Sequence, residues 1–101
     1  MANKLRFSPA IPEELRLAID AYEGISIQLG NRVRDAFEGL FQRIKDNPEL
    51  YAVVYDNIRI ARVRPFPFLV HYRLTRLGPE VVAVFPSAGD PDEWKRITRA
   101  R

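Results

Sequence analysis

The chain has no cysteine, one histidine, one tryptophan and one methionine among its 101 residues. Without cysteine there is no disulfide framework and no zinc site with thiolate ligands. A single histidine excludes a multi-histidine metal centre, so no metal and no cofactor is expected. Long apolar runs are missing too. Stretches such as Val81 to Ala88 fall far short of the ~20 residues that a membrane helix needs, so no membrane partner is expected. Residues 1–7 contain no apolar signal core, which predicts a cytoplasmic location. No glycine-rich phosphate loop exists, leaving nucleotide use unsupported. The serines are only Ser8, Ser26 and Ser87, and none stands in a nucleophile elbow.

What is present is an ordinary globular composition, 47% hydrophobic with a formal net charge of +3. That composition excludes intrinsic disorder, and the length predicts one domain over residues 1–101. The charge is unevenly spread. Residues 12–49 carry five bases and eight acids, whereas residues 50–86 carry five bases and two acids. Thirteen of the sixteen bases are arginine, the side chain suited to bidentate phosphate and carboxylate contacts. An acidic first half followed by an arginine-bearing second half points to an anionic partner for one face.

Periodicity supplies the layout. Leu5 and Phe7 alternate with polar neighbours and predict an opening strand at 3–8. Ser8 with the prolines and acids that follow it reads as a helix start. Ile11, Leu15, Ala18, Ile19 and Tyr22 then recur at helical spacing until Gly24. Ser26 caps a second helix whose apolar positions run from Leu29 to Ile44 without a slip, and Asn47-Pro48 stops it. From Leu50 strand periodicity follows, with turns at Asp56-Asn57, Pro65-Phe66-Pro67 and Leu77-Gly78-Pro79. Phe68, Val70, Tyr72 and Leu74 share one face of a strand, with Leu69, His71 and Arg73 on the other. Val81 to Phe85 is continuously apolar, as in a strand buried on both sides. Asp90 and Pro91 open a last helix over 91–98.

The expected fold is therefore α+β: a strand, a two-helix hairpin, a small and mainly antiparallel four-stranded sheet, and a short C-terminal helix. The hairpin should cover one sheet face and leave an open concavity on the other.

Chemistry is concentrated in Arg59, Arg62, Arg64, His71, Tyr72, Arg73 and Arg76 on adjoining strands. Such a set can bind a phosphate backbone, and arginine can stabilise charge developing on a cleaved phosphodiester. Alternation keeps Tyr72 off the face of His71 and Arg73, so they cannot all act at one point. Taken singly, Tyr72 reads as core, His71 as a sheet-surface residue, and Trp94 as the anchor of the tail helix.

Asn57-Ile58-Arg59, then Phe66-Pro67-Phe68 through Tyr72-Arg73, then Val81–Val84, and Asp90-Pro91 followed by Trp94 together resemble the RelE/ParE toxin superfamily. Tyr22-Glu23 and the aromatic second helix ending at Asn47-Pro48 fit as well, so the resemblance spans nearly the whole chain. It implies the toxin of a bacterial toxin–antitoxin module, of the kind linked to plasmid stabilisation and growth inhibition. A cognate antitoxin would be the partner. Relatives of the RelE kind cut messenger RNA on the ribosome without a metal, and relatives of the ParE kind poison DNA gyrase.

The resemblance departs in places that matter. The basic positions of the loop after the last strand fall on Pro86 and Gly89, and Leu69 stands where the nucleases carry arginine. Each missing charge-assisted contact costs a transition state roughly 2.7–4 kcal/mol, by analogy with one lost oxyanion donor. A toxin acting by protein binding, with gyrase as target, is therefore expected ahead of a nuclease. Partner contacts would fall on Arg59, Arg73, Arg76, Trp94 and Lys95. If the chain is a nuclease, Arg62 and Arg64 would act, helped by Arg59 or His71. A degenerate member with no activity is the third reading.

Overall fold

Val33, Phe37, Leu40 and Ile44 lie on one stripe of helix α2 (Ile27–Asp46), and all four are buried. The Ser26 hydroxyl accepts the Leu29 N–H at 3.0 Å and opens this helix as its sequence predicts. Helix α1 (Ile11–Glu23) ends at Gly24 and packs antiparallel beside it. The two axes come close because Gly30 has no side chain. A Cβ there would stand 2.8 Å from the Glu23 Cβ and 3.0 Å from its Cα. Gly30→Ala gains up to about 1 kcal/mol of helix propensity but costs about 1–3 kcal/mol of overpacking. Urea denaturation should show a net loss of up to about 2 kcal/mol, and a stabilised variant would contradict the close approach.

The computed structural model describes residues 4–101. Its five strands are β1 (Arg6–Phe7), β2 (Val53–Tyr55), β3 (Ile58–Arg62), β4 (Phe68–Thr75) and β5 (Gly78–Pro86). They form one sheet in the order β1-β5-β4-β3-β2. Only the β1–β5 pair is parallel. The fold class is the expected α+β, with one strand more than the four anticipated. The addition is β2, three residues long and joined to β3 by a tight turn at Asp56. Asn3, the first residue of the expected strand at 3–8, lies outside the described residues, and the strand itself spans Arg6 and Phe7.

The helix pair covers one face of the sheet, where Val70, Tyr72, Val81 and Val84 meet Ile11, Val33, Phe37 and Leu40. The opposite face is not the open concavity that the sequence suggested. Helix α3 (Pro91–Arg99) lies over it, capped by the Asp90 carboxylate accepting the Asp92 N–H at 3.0 Å. The chain is thus three layers deep at its centre. The continuous apolar run of β5 required this, because Ala83 and Phe85 need cover on the second side. Ser8 also behaves differently from expectation. It is buried, its N–H donates to Val81 O, and its carbonyl accepts from Ile11 N–H. The start of α1 falls at Ala10 with no side-chain cap.

Strand β1 covers β5 only at Glu80 and Val81. Beyond that point two side chains replace a neighbouring strand. Glu14 of α1 accepts the Val84 N–H at 2.8 Å, and Arg101 donates to Val82 O at 2.9 Å. Arg101 also pairs with Glu14 at 2.5 Å. Backbone groups that would otherwise be left bare are satisfied this way.

Candidate functional site

The candidate residues separate into distinct groups. Cross-strand register puts Arg59 opposite Tyr72 on the face of the helix pair, and both side chains reach the segment entering β2. Arg59 donates to Tyr51 O at 2.7 Å and to Glu49 O at 3.3 Å, while the Tyr72 hydroxyl donates to Pro48 O at 2.7 Å. Burial raises the pKa of Tyr72, so it holds its proton and acts as a donor. Arg59 and Tyr72 hold the crossover from α2 into the sheet.

On the other face, His71 is fully buried, which corrects its reading as a sheet-surface residue. The cause is α3. Trp94 and Phe85 box the imidazole, with ring centroids at 5.0 and 4.8 Å. The Tyr55 hydroxyl bridges His71 Nδ1 at 2.9 Å and Thr98 Oγ1 at 3.0 Å, tying β2, β4 and α3 together. Nε2 is buried with no hydrogen-bond partner among the described residues. Burial holds the His71 pKa down at about 4, so the ring is neutral near pH 7. Lys95 lies with its ammonium 5.9 Å from the Tyr55 ring, at the rim of the same cluster.

Arg73 is half-buried and committed. It donates to Glu80 at 2.9 Å and to the Arg101 carbonyl at 3.1 Å. Arg76 is exposed in the turn between β4 and β5, three residues beyond Arg73.

Arg62 and Arg64 remain. Both are exposed, and neither pairs with a carboxylate among the described residues. With Arg43, Tyr51 and Ile60 they line a hollow of about 450 Å³ along the outer edge of β3. A second hollow of about 520 Å³ is lined by the same two arginines together with Phe66, Pro67 and Ser87. Neither lining contains an acid. Arg43 and Tyr51 were missed by sequence reasoning, since the helix-end basic residue and the tyrosine before β2 belong to no strand pattern.

The loop after β5 explains one departure from the toxin pattern. A Cβ on Gly89 would stand 2.6 Å from the Trp94 indole nitrogen. Trp94 occupies the space, so a side chain at this position requires the indole to shift.

No protein-family model matches the chain, and no curated protein matches it significantly. Among the described residues no group of histidine and carboxylate side chains is arranged to hold a metal ion, and no helix is long and apolar enough to cross a membrane. What the geometry offers is an arginine-rich, acid-free strand edge beside one tyrosine. The histidine is out of reach of any ligand while α3 is in place.

Proposed function

We propose that this chain is a cytoplasmic growth-inhibiting toxin of the RelE/ParE kind, acting by gripping a protein target and neutralised by an acidic antitoxin. DNA gyrase is the target favoured by the resemblance. The observation that carries this reading is the dispersal of the candidate catalytic set. His71 is sealed beneath Trp94, and Arg59 is spent on backbone carbonyls. Arg62 and Arg64 are left to bind without a histidine to move a proton. The acid-free lining of their hollow suits an anionic partner surface.

A second reading has one observation in its favour. Tyr51 lines the same hollow as Arg43, Arg62 and Arg64, and a phenol can pass a proton in metal-free cleavage of RNA. Induced expression in one bacterial culture, read by growth, plasmid topology and transcript mapping, separates the two. The expected result is growth arrest with altered supercoiling and intact transcripts, relieved by the double variant R62E/R64E. Cuts at fixed codon positions would establish the nuclease reading instead. Normal growth would overturn both and leave an inactive member of the fold.

A further inference from the structure

The six residues from Leu50 to Tyr55 carry no charge and contain neither proline nor glycine. They end in β2, the outermost strand of the sheet on that side. Edge strands are normally guarded by lysine, proline or inward-pointing charge, because their bare backbone invites another strand. Leu50, Val53 and Val54 are each at least half exposed. The ladder register shows which backbone groups are bare. The Val63 N–H donates to Phe68 O at 3.0 Å, so Val63, Ala61 and Arg59 turn their backbone groups to β4. Val53 stands opposite Arg59. Residues opposed in an antiparallel ladder either bond to each other or both turn away. Arg59 is turned to β4, so the Val53 N–H and C=O point outward, where no strand stands among the described residues.

From this geometry we infer that β2 pairs antiparallel with β2 of a second copy of this chain, across a two-fold axis beside Val53. The pairing is independent of the toxin's target. Three features select this occupant. An outward N–H and an outward C=O on one residue are met by the same residue of a second copy, with two hydrogen bonds. The uncharged run sets no like charges opposite one another, and its valines and leucine find apolar residues across the axis. Glu49 is exposed at one end of the run, and Lys95 and Arg99 outnumber Asp56 at the other. Antiparallel pairing brings these ends together, acid to base. An acidic polypeptide or a nucleic acid finds no free guanidinium on this edge, because Arg59 is committed to the carbonyls of Tyr51 and Glu49. Pairing consumes the edge of both copies, so the assembly closes at two chains. The strand has three residues and a register shift between Val53 and Tyr55, which keeps the contact small and the dimer reversible.

Sedimentation equilibrium of the full chain should give a monomer–dimer equilibrium with a Kd of about 100 μM or below. At about ten times the Kd roughly one chain in five stays monomeric, so amide exchange at Val53 should slow about fivefold relative to a dilute sample. Two variants act on different parts of the contact. Val54→Lys sets like charges near the axis and should weaken the dimer by about tenfold or more. Val53→Pro removes the outward N–H, which β3 does not use, and should weaken the dimer similarly. Circular dichroism checks that each variant is folded. A Kd above about 100 μM, unchanged exchange at Val53, or a folded Val54→Lys variant that dimerises as tightly as the parent overturns the inference. So does protection of Val53 by a capped glutamate–valine peptide at concentrations where the chain itself stays monomeric. Growth arrest by a strictly monomeric chain removes this inference alone. Dimerisation without growth arrest removes the toxin reading and leaves the pairing standing.

Discussion

Between pH 6.5 and pH 4 the folded protein is expected to lose about 3 kcal/mol of stability through His71. Its pKa in the fold is about 4, against an ordinary value of 6.5. In that window the unfolded chain takes up a proton that the folded chain refuses. Stability from this group is therefore complete above pH 6.5, falls as the pH drops, and levels off below about 4. The cause is physical enclosure. His71 has no exposed surface, and charging it would place an ion among Phe85 and Trp94 with Nε2 unpartnered. Urea denaturation at several pH values measures the slope. The control is His71→Leu, which removes the titrating group, and the two slopes should differ by that amount. NMR titration of Trp94→Ala should find the His71 pKa raised toward 6.5, because water reaches the ring once the indole is gone. A His71 pKa near 6.5 in the unaltered protein would mean that α3 does not cover the sheet.

Glu14→Ala is expected to cost about 2–3 kcal/mol, more than the loss of a solvent-exposed carboxylate from a first helical turn. The carboxylate does two jobs at once. One oxygen accepts the Val84 N–H and the other pairs with Arg101, whose second nitrogen reaches Val82 O. Both side chains are about one-fifth exposed, which reduces the cost below that of a fully buried pair. By contrast the Arg16–Glu13 pair is more than half exposed, and Glu13→Ala should change stability by less than about 1 kcal/mol. Glu14→Gln keeps an acceptor for Val84 and should recover part of the loss. Denaturation of the variants decides the matter. An effect of Glu14→Ala no larger than that of Glu13→Ala would show that the edge of β5 does not depend on this pair.

The two helices were legible because their signals are local. Ser26, the slip-free run from Leu29 to Ile44, and Asn47-Pro48 each act within a few residues of one another. The alternation of β4 was equally plain, and Tyr72 is core on one side as expected. Strand β2 was only partly legible, as strand-like sequence from Leu50 closed by a turn at Asp56-Asn57. It has three residues, two of them exposed, and three residues are too few to establish a period. The burial of His71 was hidden for a different reason. Trp94 and Thr98 stand one helical turn apart on α3, but their spacing does not say which face of the sheet they meet. The apolar run from Val81 to Phe85 carried the missing information, since a strand buried on both sides implies cover on both. Of the candidate site, Arg62 and Arg64 were named from sequence. Arg43 and Tyr51 join them only because the end of α2 and the crossover that follows come alongside the bare edge of β3.

The sheet order also dictates a schedule. Strand β5 lies between the first strand and β4, so the sheet cannot close until residues near the end of the chain exist. On a ribosome adding about 5–20 residues per second, α1 and α2 emerge seconds before Val81–Phe85. During that interval Val33, Phe37, Leu40 and Ile44 have helical spacing but no sheet to lie against. Nascent chains halted before β5 would expose this apolar stripe to chaperones and proteases. The helices are made first and become stable last.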